Sequence, residues 1–243
     1  MVKIQKFVIG VSLASKMFRL PSLAGLAIDT ILSARGSKPL DEEYYSTVET
    51  SNEYGAFRLQ NKKLGNSLHV DVSNILFSKD TYECEANIAF VKALDEFSTI
   101  WLLINKILKI NDIRRIGMVG EHQIHIEKQN PNKLLMNSLV KVPVPQFPSK
   151  FNLSYEERRP TKEGIAPDID KSDFINIIYQ YYDSVLDVNH SAADSLNANL
   201  DVQRYYSPLL TTNVSDEVKK LHKIFIEEKK KFDANMKERW VRP

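Results

Sequence analysis

The sequence contains only one cysteine, Cys84, among 243 residues. An internal disulfide is therefore excluded, and so is a zinc site built from several cysteines. With only eight glycines, the chain has few residues for loops that wrap phosphates. It contains neither of the two glycine-rich nucleotide-binding patterns, and it lacks the Gly-x-Ser-x-Gly turn that presents a serine nucleophile. Common nucleotide-dependent and serine-hydrolase sites are thus not indicated.

The chain also lacks an excess of one charge and a long apolar segment. Lysine and arginine total 33 and aspartate and glutamate 31, which leaves a formal charge of +2; proteins that coat DNA usually carry a stronger basic excess. No uncharged apolar run approaches the roughly 18 residues of a membrane span. Lys16 and Arg19 soon follow the first apolar residues, and a small-residue cleavage site is missing, so the N-terminus predicts a strand. We expect a cytoplasmic protein without a membrane partner.

Two long segments have the apolar spacing of amphipathic helices. The first is predicted from about Glu83 to Lys109, with Asp80 supplying its capped start. The second is predicted from Ser215, its N-cap, to Trp240. The apolar stripe of the first comprises Phe90, Ala93, Leu94, Phe97, Ile100, Trp101, Ile104, Ile107 and Leu108. That of the second comprises Val218, Leu221, Phe225, Phe232, Met236 and Trp240.

Shorter segments rich in β-branched and aromatic residues, separated by turn-forming residues, predict antiparallel strands. A short helix lies among them, with Pro21 in its first turn, where proline costs little. The predicted strands cover residues 4–13, 44–50, 55–60, 68–77, 113–127, 151–155, 174–188 and 196–205, and the short helix covers 21–32.

The prolines within residues 143–148 favour an extended connector. We place this connector at 131–149, between an N-terminal half at 1–130 and a C-terminal half at 150–243. Each half then contains several antiparallel strands and ends in one long helix. The predicted fold class is α+β, with two similar halves, each an antiparallel sheet covered by a long amphipathic helix.

Histidine and carboxylate groups give only weak indications of chemistry. On a strand, His122 and His125 would point to opposite faces, so a shared metal ion would need a bulge or a helix there. His190 lies near Asp187, which leaves an acid–base pair open, although a loop hydrogen bond is the simpler interpretation. A small carboxylate cluster lacks the glycine and distal glutamate of a calcium-binding loop. Its members are Asp168, Asp170 and Asp173. We assign no catalytic residue, no metal ligand and no cofactor.

Basic residues supply the candidate contact surfaces. Arg114 and Arg115 could grip a phosphate or a carboxylate, although surface ion pairs are the simpler interpretation. The last helix has mixed charges that indicate a solvated face, and its apolar stripe could also pack against a partner helix. Tyrosines could stack on bases but more often pack a sheet against helices. The nominated contact residues are Arg114, Arg115, Lys229, Lys230, Lys231 and Trp240. The tyrosines are Tyr179, Tyr181, Tyr182, Tyr205 and Tyr206.

The order of short motifs in the chain resembles a sporadically distributed family of uncharacterised bacterial proteins of about this length. In that family a hairpin, a long helix, an Arg-Ile-Gly strand, a strand with an aspartate and a C-terminal helix follow one another. The matching segments are Phe57-Arg58-Leu59, Trp101, Arg115-Ile116-Gly117, Leu200-Asp201-Val202, His222-Lys223-Ile224-Phe225 and Trp240. The resemblance implies the architecture and a bacterial or phage-like cytoplasmic setting, because the family has no established activity.

We therefore expect a non-catalytic protein-binding or scaffold subunit. A bacterial defence or mobile-element system is one setting for such a subunit, and its partner would be another protein or a second copy of itself. One alternative is a nucleic-acid-binding accessory protein that uses the arginine pair and the lysine run on phosphates. A second alternative is a hydrolase whose groups come together only in the fold, such as Asp187 and His190.

Overall fold

The computed structural model describes residues 2–51, 54–81, 86–125, 131–140, 151–183 and 195–240. Within these ranges the chain is an α+β protein with one large antiparallel sheet and four helices. The strands are β1 (Val2–Leu13), β2 (Thr47–Thr50), β3 (Phe57–Asn61), β4 (Asn66–Val70), β5 (Asn74–Asp80), β6 (Ile113–His125), β7 (Asn152–Pro160), β8 (Phe174–Asp183) and β9 (Ser195–Leu210). The helices are α1 (Leu20–Ser33), α2 (Ala86–Leu108), α3 (Pro131–Leu139) and α4 (Val214–Trp240).

The strands lie in the order β2-β3-β4-β5-β1-β6-β9-β8-β7. The first strand of the chain is therefore central, and it pairs antiparallel with β6, with Phe7 opposite Gly120 and Val11 opposite Ile116. The sequence predicted a separate sheet in each half, whereas the described strands form one continuous sheet. The sheet is continuous because β1 pairs with β5 on one side and with β6 on the other, and β6 in turn pairs with β9.

One face of the sheet is buried under the long helices. α2 packs against β1, and α4 packs against β1, β6 and β9. The predicted apolar stripes of both helices are confirmed as buried where they are described, except that Ile107 is only partly buried. Trp101 is 3% exposed and Phe225 is 0% exposed. α1 packs against α2, and α3 packs against β8. Side chains from all four helices join a single hydrophobic core, which is the usual reason for such a layer to form.

We call the other side of the sheet the open face. It carries the side chains that alternate with the core residues, from Lys6 and Ser12 in β1 to Arg115 in β6 and Asp201 in β9. No helix among the described residues packs against it. An antiparallel sheet with one covered and one open face alternates apolar and polar residues, as β9 does between Leu196 and Gln203.

The predicted strand 68–77 is wrong as a single strand. The structure has two strands, β4 and β5, joined by a turn at Asp71. Oδ1 of Asp71 accepts hydrogen bonds from the backbone N–H groups of Ser73, at 2.7 Å, and Asn74, at 2.8 Å. An aspartate that binds the backbone two residues on stabilises a tight turn, so β4 and β5 pair as a hairpin.

The predicted helix starts also need correction. Asp80 belongs to β5 and pairs with Lys6 of β1, so it cannot be the cap of α2. Residues 82–85, which include Cys84, lie outside the described part of the chain. Ser215 is the second residue of α4. The carbonyl of Asn213 accepts from the N–H groups of Asp216 and Glu217 instead, each at 3.0 Å. None of the described helices is long and apolar enough to cross a bilayer.

Both edges of the sheet resist further strand pairing. β2 has only four residues. β7 is longer, but four consecutive charged residues from Glu156 to Arg159 and then Pro160 occupy it. Short strands, charges and proline are the usual means by which natural sheets avoid joining edge to edge. We therefore look for contact surfaces on the faces of the sheet.

Two glycines of β6 lie on opposite faces and give a direct stability test of this arrangement. A Cβ at Gly120 would lie 2.9 Å from Cζ of Phe225 and 3.0 Å from Cε1 of His122, both in the core. A Cβ at Gly117, on the open face, would have Cγ of Gln203 as its nearest neighbour at 3.5 Å. We expect Gly120→Ala to lower the free energy of unfolding by about 1–3 kcal/mol, because a closely packed core cannot move aside without strain.

Gly117→Ala is the matched control and should change the free energy of unfolding by less than about 0.5 kcal/mol. Urea denaturation of the two variants and the wild type measures the difference. Equal destabilisation by both substitutions would contradict the assignment of the core face and the open face.

Candidate binding surface on the open face

A network of hydrogen bonds surrounds Arg115 on the open face. Nη2 of Arg115 donates to Oγ of Ser12 at 3.0 Å, and Nη1 donates to Oε1 of Gln203 at 3.4 Å and to the hydroxyl of Tyr205 at 3.3 Å. Ser12 in turn donates to Oδ1 of Asn74 at 2.9 Å. The network thus joins β5, β1, β6 and β9. It exists because Ser12 and Tyr205 are both in register with Arg115 on the neighbouring strands.

An aromatic pair continues the network toward β7. The rings of Tyr205 and Phe174 stack with centroids 4.6 Å apart, and the guanidinium of Arg158 lies 5.8 Å from the Phe174 ring. Asn176, the next open-face residue of β8, donates from Nδ2 to Glu156 at 3.1 Å. Polar, aromatic and charged groups therefore extend without interruption from β5 to the edge strand.

Two oxygens in this region are buried and have no hydrogen-bond partner among the described residues: Oδ1 of Asp201 and Oδ1 of Asn176. Asn176 is only 3% exposed. Burial raises the pKa of Asp201 to about 6, although a hydrogen bond from Gln203 and the charge of Arg115 act in the opposite direction. Buried acceptors without partners are rare in native proteins, and they mark strain or a functional contact. We name Arg115, Asp201, Gln203, Tyr205 and Asn176 the Asp201 cluster.

A groove of about 350 Å³ lies on another part of the open face, over β3, β4, β5 and β1. Most of its lining residues have polar or charged side chains, and Val8 and Leu76 are among the apolar members. Four basic or potentially basic side chains and one carboxylate line it: Lys6, Arg58, Lys62, His69 and Asp80. Burial raises the pKa of Asp80, and the charge of Lys6 partly offsets this effect. We call this feature the basic groove.

The predicted arginine pair, Arg114 and Arg115, does not form one shared binding site. Arg115 belongs to the Asp201 cluster, but Arg114 lies at a break in the β6–β9 register. Its Nη1 donates to the backbone carbonyls of Tyr206, at 3.4 Å, and Asp170, at 3.5 Å. The simpler interpretation was that the two arginines form surface ion pairs. Among the described residues, neither arginine has a carboxylate within ion-pair distance. Arg115 instead contacts neutral groups.

The predicted lysine run lies on the helix-covered side of the sheet. Lys229 pairs with Asp233, and Lys231 pairs with Glu228 at 2.8 Å. Lys230 is exposed to solvent. Trp240 is the last residue of α4, and its side chain lies outside the described residues. The lysines and Arg115 are therefore on different sides of the molecule and do not form one basic patch.

His122 is a core residue. It is 2% exposed, its Nδ1 lies 3.2 Å from the carbonyl oxygen of Ala198, and its ring contacts Phe232. Burial and the charge of Lys229 lower its pKa to about 4, so it is neutral at pH 7. The side chain of His125 lies outside the described residues, as do Asp187 and His190 entirely.

The predicted carboxylate cluster is divided between a turn and an ion pair. Oδ1 of Asp168 accepts from the N–H groups of Asp170, at 2.9 Å, and Lys171, at 3.2 Å. The carboxylate of Asp173 pairs with Arg204 at 2.7 Å. In the described ranges no group of three histidine, cysteine, aspartate or glutamate side chains could hold a metal ion.

The tyrosines are also divided between the two faces. Tyr182 and Tyr205 lie on the open face, because they are in register with Asn197 and Arg115. Tyr179 donates from its hydroxyl to Glu228 of α4 at 3.2 Å, so it faces the helices. Tyr181 and Tyr206 are buried in the core. A single stacking platform of five tyrosines is therefore absent from this part of the structure.

No protein-family model matches the chain, and no curated protein matches it at a significant level. Among solved structures, it is similar to the duplicated taurocyamine kinase from Schistosoma mansoni with bound transition state analog components, with a TM-score of 0.36 and 9% sequence identity. The similarity covers 90% of this chain and 31% of the kinase chain. A likeness at this TM-score carries no argument about function.

The raised pKa of Asp201 predicts a pH-dependent stability. An unfolded aspartate has a pKa near 3.8, whereas folding raises the pKa to about 6, so the folded state holds this proton more tightly. Stability from this group is complete below about pH 4 and is lost as the pH rises through 6. Asp201→Asn removes the ionisation. We expect it to gain about 2 kcal/mol over the wild type between pH 4 and pH 8.

Denaturation midpoints of both proteins across this pH range measure the effect. Asp29→Asn, at an exposed position of α1, is the control for removal of a carboxylate elsewhere in the protein. A difference between Asp201→Asn and the wild type that does not change with pH would contradict the raised pKa of Asp201.

Proposed function

We propose that this protein is a non-catalytic binding or scaffold subunit, and that a partner protein docks on the open face around the Asp201 cluster. The observation that supports this most directly is the desolvated polar network centred on Arg115. A sheet face that only contacts water would solvate its carboxylates and amides. Here one oxygen each of Asp201 and Asn176 is buried and has no hydrogen-bond partner in the part of the chain that the structure describes.

The extent of the open face suits a protein partner. Nine adjacent strands at a spacing of about 4.8 Å give a width of about 38 Å. With a paired length of about 20 Å, the face offers on the order of 800 Å², which is the area each partner buries in a standard interface. Arginine and tyrosine are enriched in such interfaces, and Arg115, Arg158, Tyr182 and Tyr205 all lie on this face.

The two-half architecture also remains a proposal. β1 and β6 are adjacent at the centre, each starts a series of strands, and each series ends in a long helix. One series has the order β1-β5-β4-β3-β2 and the other the order β6-β9-β8-β7. These orders favour a boundary between α2 and β6 instead of the connector at 131–149.

Superposition of residues 2–108 on 113–240 tests this proposal. If the two halves are related, α2 should superpose on α4 when β1 is superposed on β6. Different directions of α2 and α4 after this superposition would contradict the two-half proposal. The bacterial family that the sequence resembles, and a role in a defence or mobile-element system, are proposals that rest on the short motifs alone.

The nucleic-acid alternative has less support, because it assigned phosphate contacts to residues that lie on different faces. Arg115 is on the open face, while Lys229 and Lys231 are ion-paired on α4. The hydrolase alternative named Asp187 and His190, which lie outside the described residues.

Variants on the two sides of the molecule test the docking proposal. We expect the tagged wild type to recover a stoichiometric protein from its native host, and Arg115→Ala to lose it, because this substitution removes the central donor of the network. Lys230→Ala removes the same charge from the exposed side of α4 and should keep the partner. Native mass spectrometry of the eluates measures the stoichiometry, and circular dichroism confirms that both variants are folded.

Three results would contradict the proposal: no stoichiometric partner, retention by Arg115→Ala, or loss with Lys230→Ala alone. The last would move the contact surface to α4. The mass of the purified protein on its own separates self-association from binding of a different protein.

A further inference from the structure

The basic groove contains two cations that have no partner in the described ranges of the chain. Among the described residues, neither the guanidinium of Arg58 nor the ammonium of Lys62 has a hydrogen-bond or ion-pair partner. Both side chains are exposed beside the groove. Two cations elsewhere in the protein are, by contrast, held by carboxylates: Lys79 binds Glu96 at 2.6 Å and Arg204 binds Asp173 at 2.7 Å.

Few carboxylates lie near the groove, and some of them already have hydrogen-bond or ion-pair partners. Glu49 is in register with Arg58 across β2 and β3, yet its Oε1 accepts a hydrogen bond from Nε2 of Gln60 at 2.6 Å. Lys6 approaches Glu121 only to 3.9 Å. Asp80 is the one carboxylate in the lining, against Lys6, Arg58 and Lys62. The groove therefore keeps an excess of positive charge.

The remaining lining supplies directional hydrogen bonds. The side-chain amide of Gln60 and the hydroxyls of Ser67 and Ser78 line the groove beside the cations. The side chains of Asn61 and Asn66 are buried and hydrogen-bonded to backbone groups on the core side. The volume of about 350 Å³ falls in the range of pockets for small ligands, about 300–1,000 Å³. A ligand of this site would be small, hydrogen-bonding and negatively charged. Arginine forks and lysine ammonium groups together are the usual phosphate ligands in proteins.

We propose that the basic groove binds a phosphorylated small molecule of nucleotide size, with Arg58 and Lys62 on its phosphate and Gln60, Ser67 and Ser78 on its polar remainder. The site lies on strands β3, β4, β5 and β1 and uses no residue of the Asp201 cluster. It is independent of the protein-docking proposal, since a ligand in the groove requires no partner protein.

Isothermal titration calorimetry of the full chain tests the site with inorganic phosphate, AMP, ADP and single-stranded DNA and RNA of roughly ten nucleotides. We expect AMP or ADP to bind more tightly than phosphate alone. Arg58→Gln and Lys62→Gln should each weaken the nucleotide by about tenfold or more, because each removes a charged contact to phosphate. Lys63→Gln is the matched control, since Lys63 is an exposed neighbour outside the lining; it should change the affinity by less than about twofold.

The proposal is overturned if neither nucleotide binds, or if Lys63→Gln weakens binding as much as Lys62→Gln, which would indicate non-specific attraction. Binding of the oligonucleotides without AMP or ADP would also overturn it and would favour the nucleic-acid alternative. All three substitutions are at exposed positions, so circular dichroism should show unchanged folding. Partner capture by Lys62→Gln, measured separately, distinguishes failure of this site from failure of the docking proposal.

Discussion

The pairing of β1 with β6 is the constraint on which the rest of the structure depends. β1 comes first in the chain but lies at the centre of the sheet, so the first strand meets a strand from the middle of the sequence at this seam. Phe7 of β1 lies beneath it and contacts both long helices: its ring centroid is 4.5 Å from that of Phe90 in α2 and 5.7 Å from that of Phe225 in α4. All three rings are fully buried. Burial of Phe7 against both rings therefore contributes to holding the two helices on the seam.

This arrangement also determines where binding can occur. Because α2 and α4 both contact Phe7, they lie on the same face of the sheet, and the strands present their remaining side chains on the other face. The sheet edges are short or charged. A broad open face then results from the position of the core itself, and its polar residues meet in register across strands that are far apart in the sequence, as Ser12, Arg115 and Tyr205 do.

The long helices could be predicted from the sequence, because a stripe with a period near 3.6 is a local signal and Trp101 and Phe225 are part of it. The hairpin at Asp71 could not be separated from one long strand, since the apolar alternation continues on both sides of it. The Asp201 cluster was missed for a different reason. Alternation from Leu196 to Gln203 does predict that Asp201 and Gln203 share a face, but only the strand register shows that Arg115 lies beside them. Arg115 was nominated together with Arg114, whose position at a register break could not be deduced from neighbouring residues.

The two regions of the open face differ in how their cations are held, and this difference suits different ligands. Arg115 has three neutral hydrogen-bond partners on the two neighbouring strands, β1 and β9. Its guanidinium is therefore oriented before any partner arrives, and little side-chain entropy remains to be lost on docking. Arg58 and Lys62 have no such partners among the described residues. Their charge is left for a ligand in the groove to neutralise. Because no hydrogen bond orients the two side chains, they can close around a small anion more readily than they can match a rigid protein surface. The same sheet face can therefore hold a protein through its ordered part and an anion through its unpaired part.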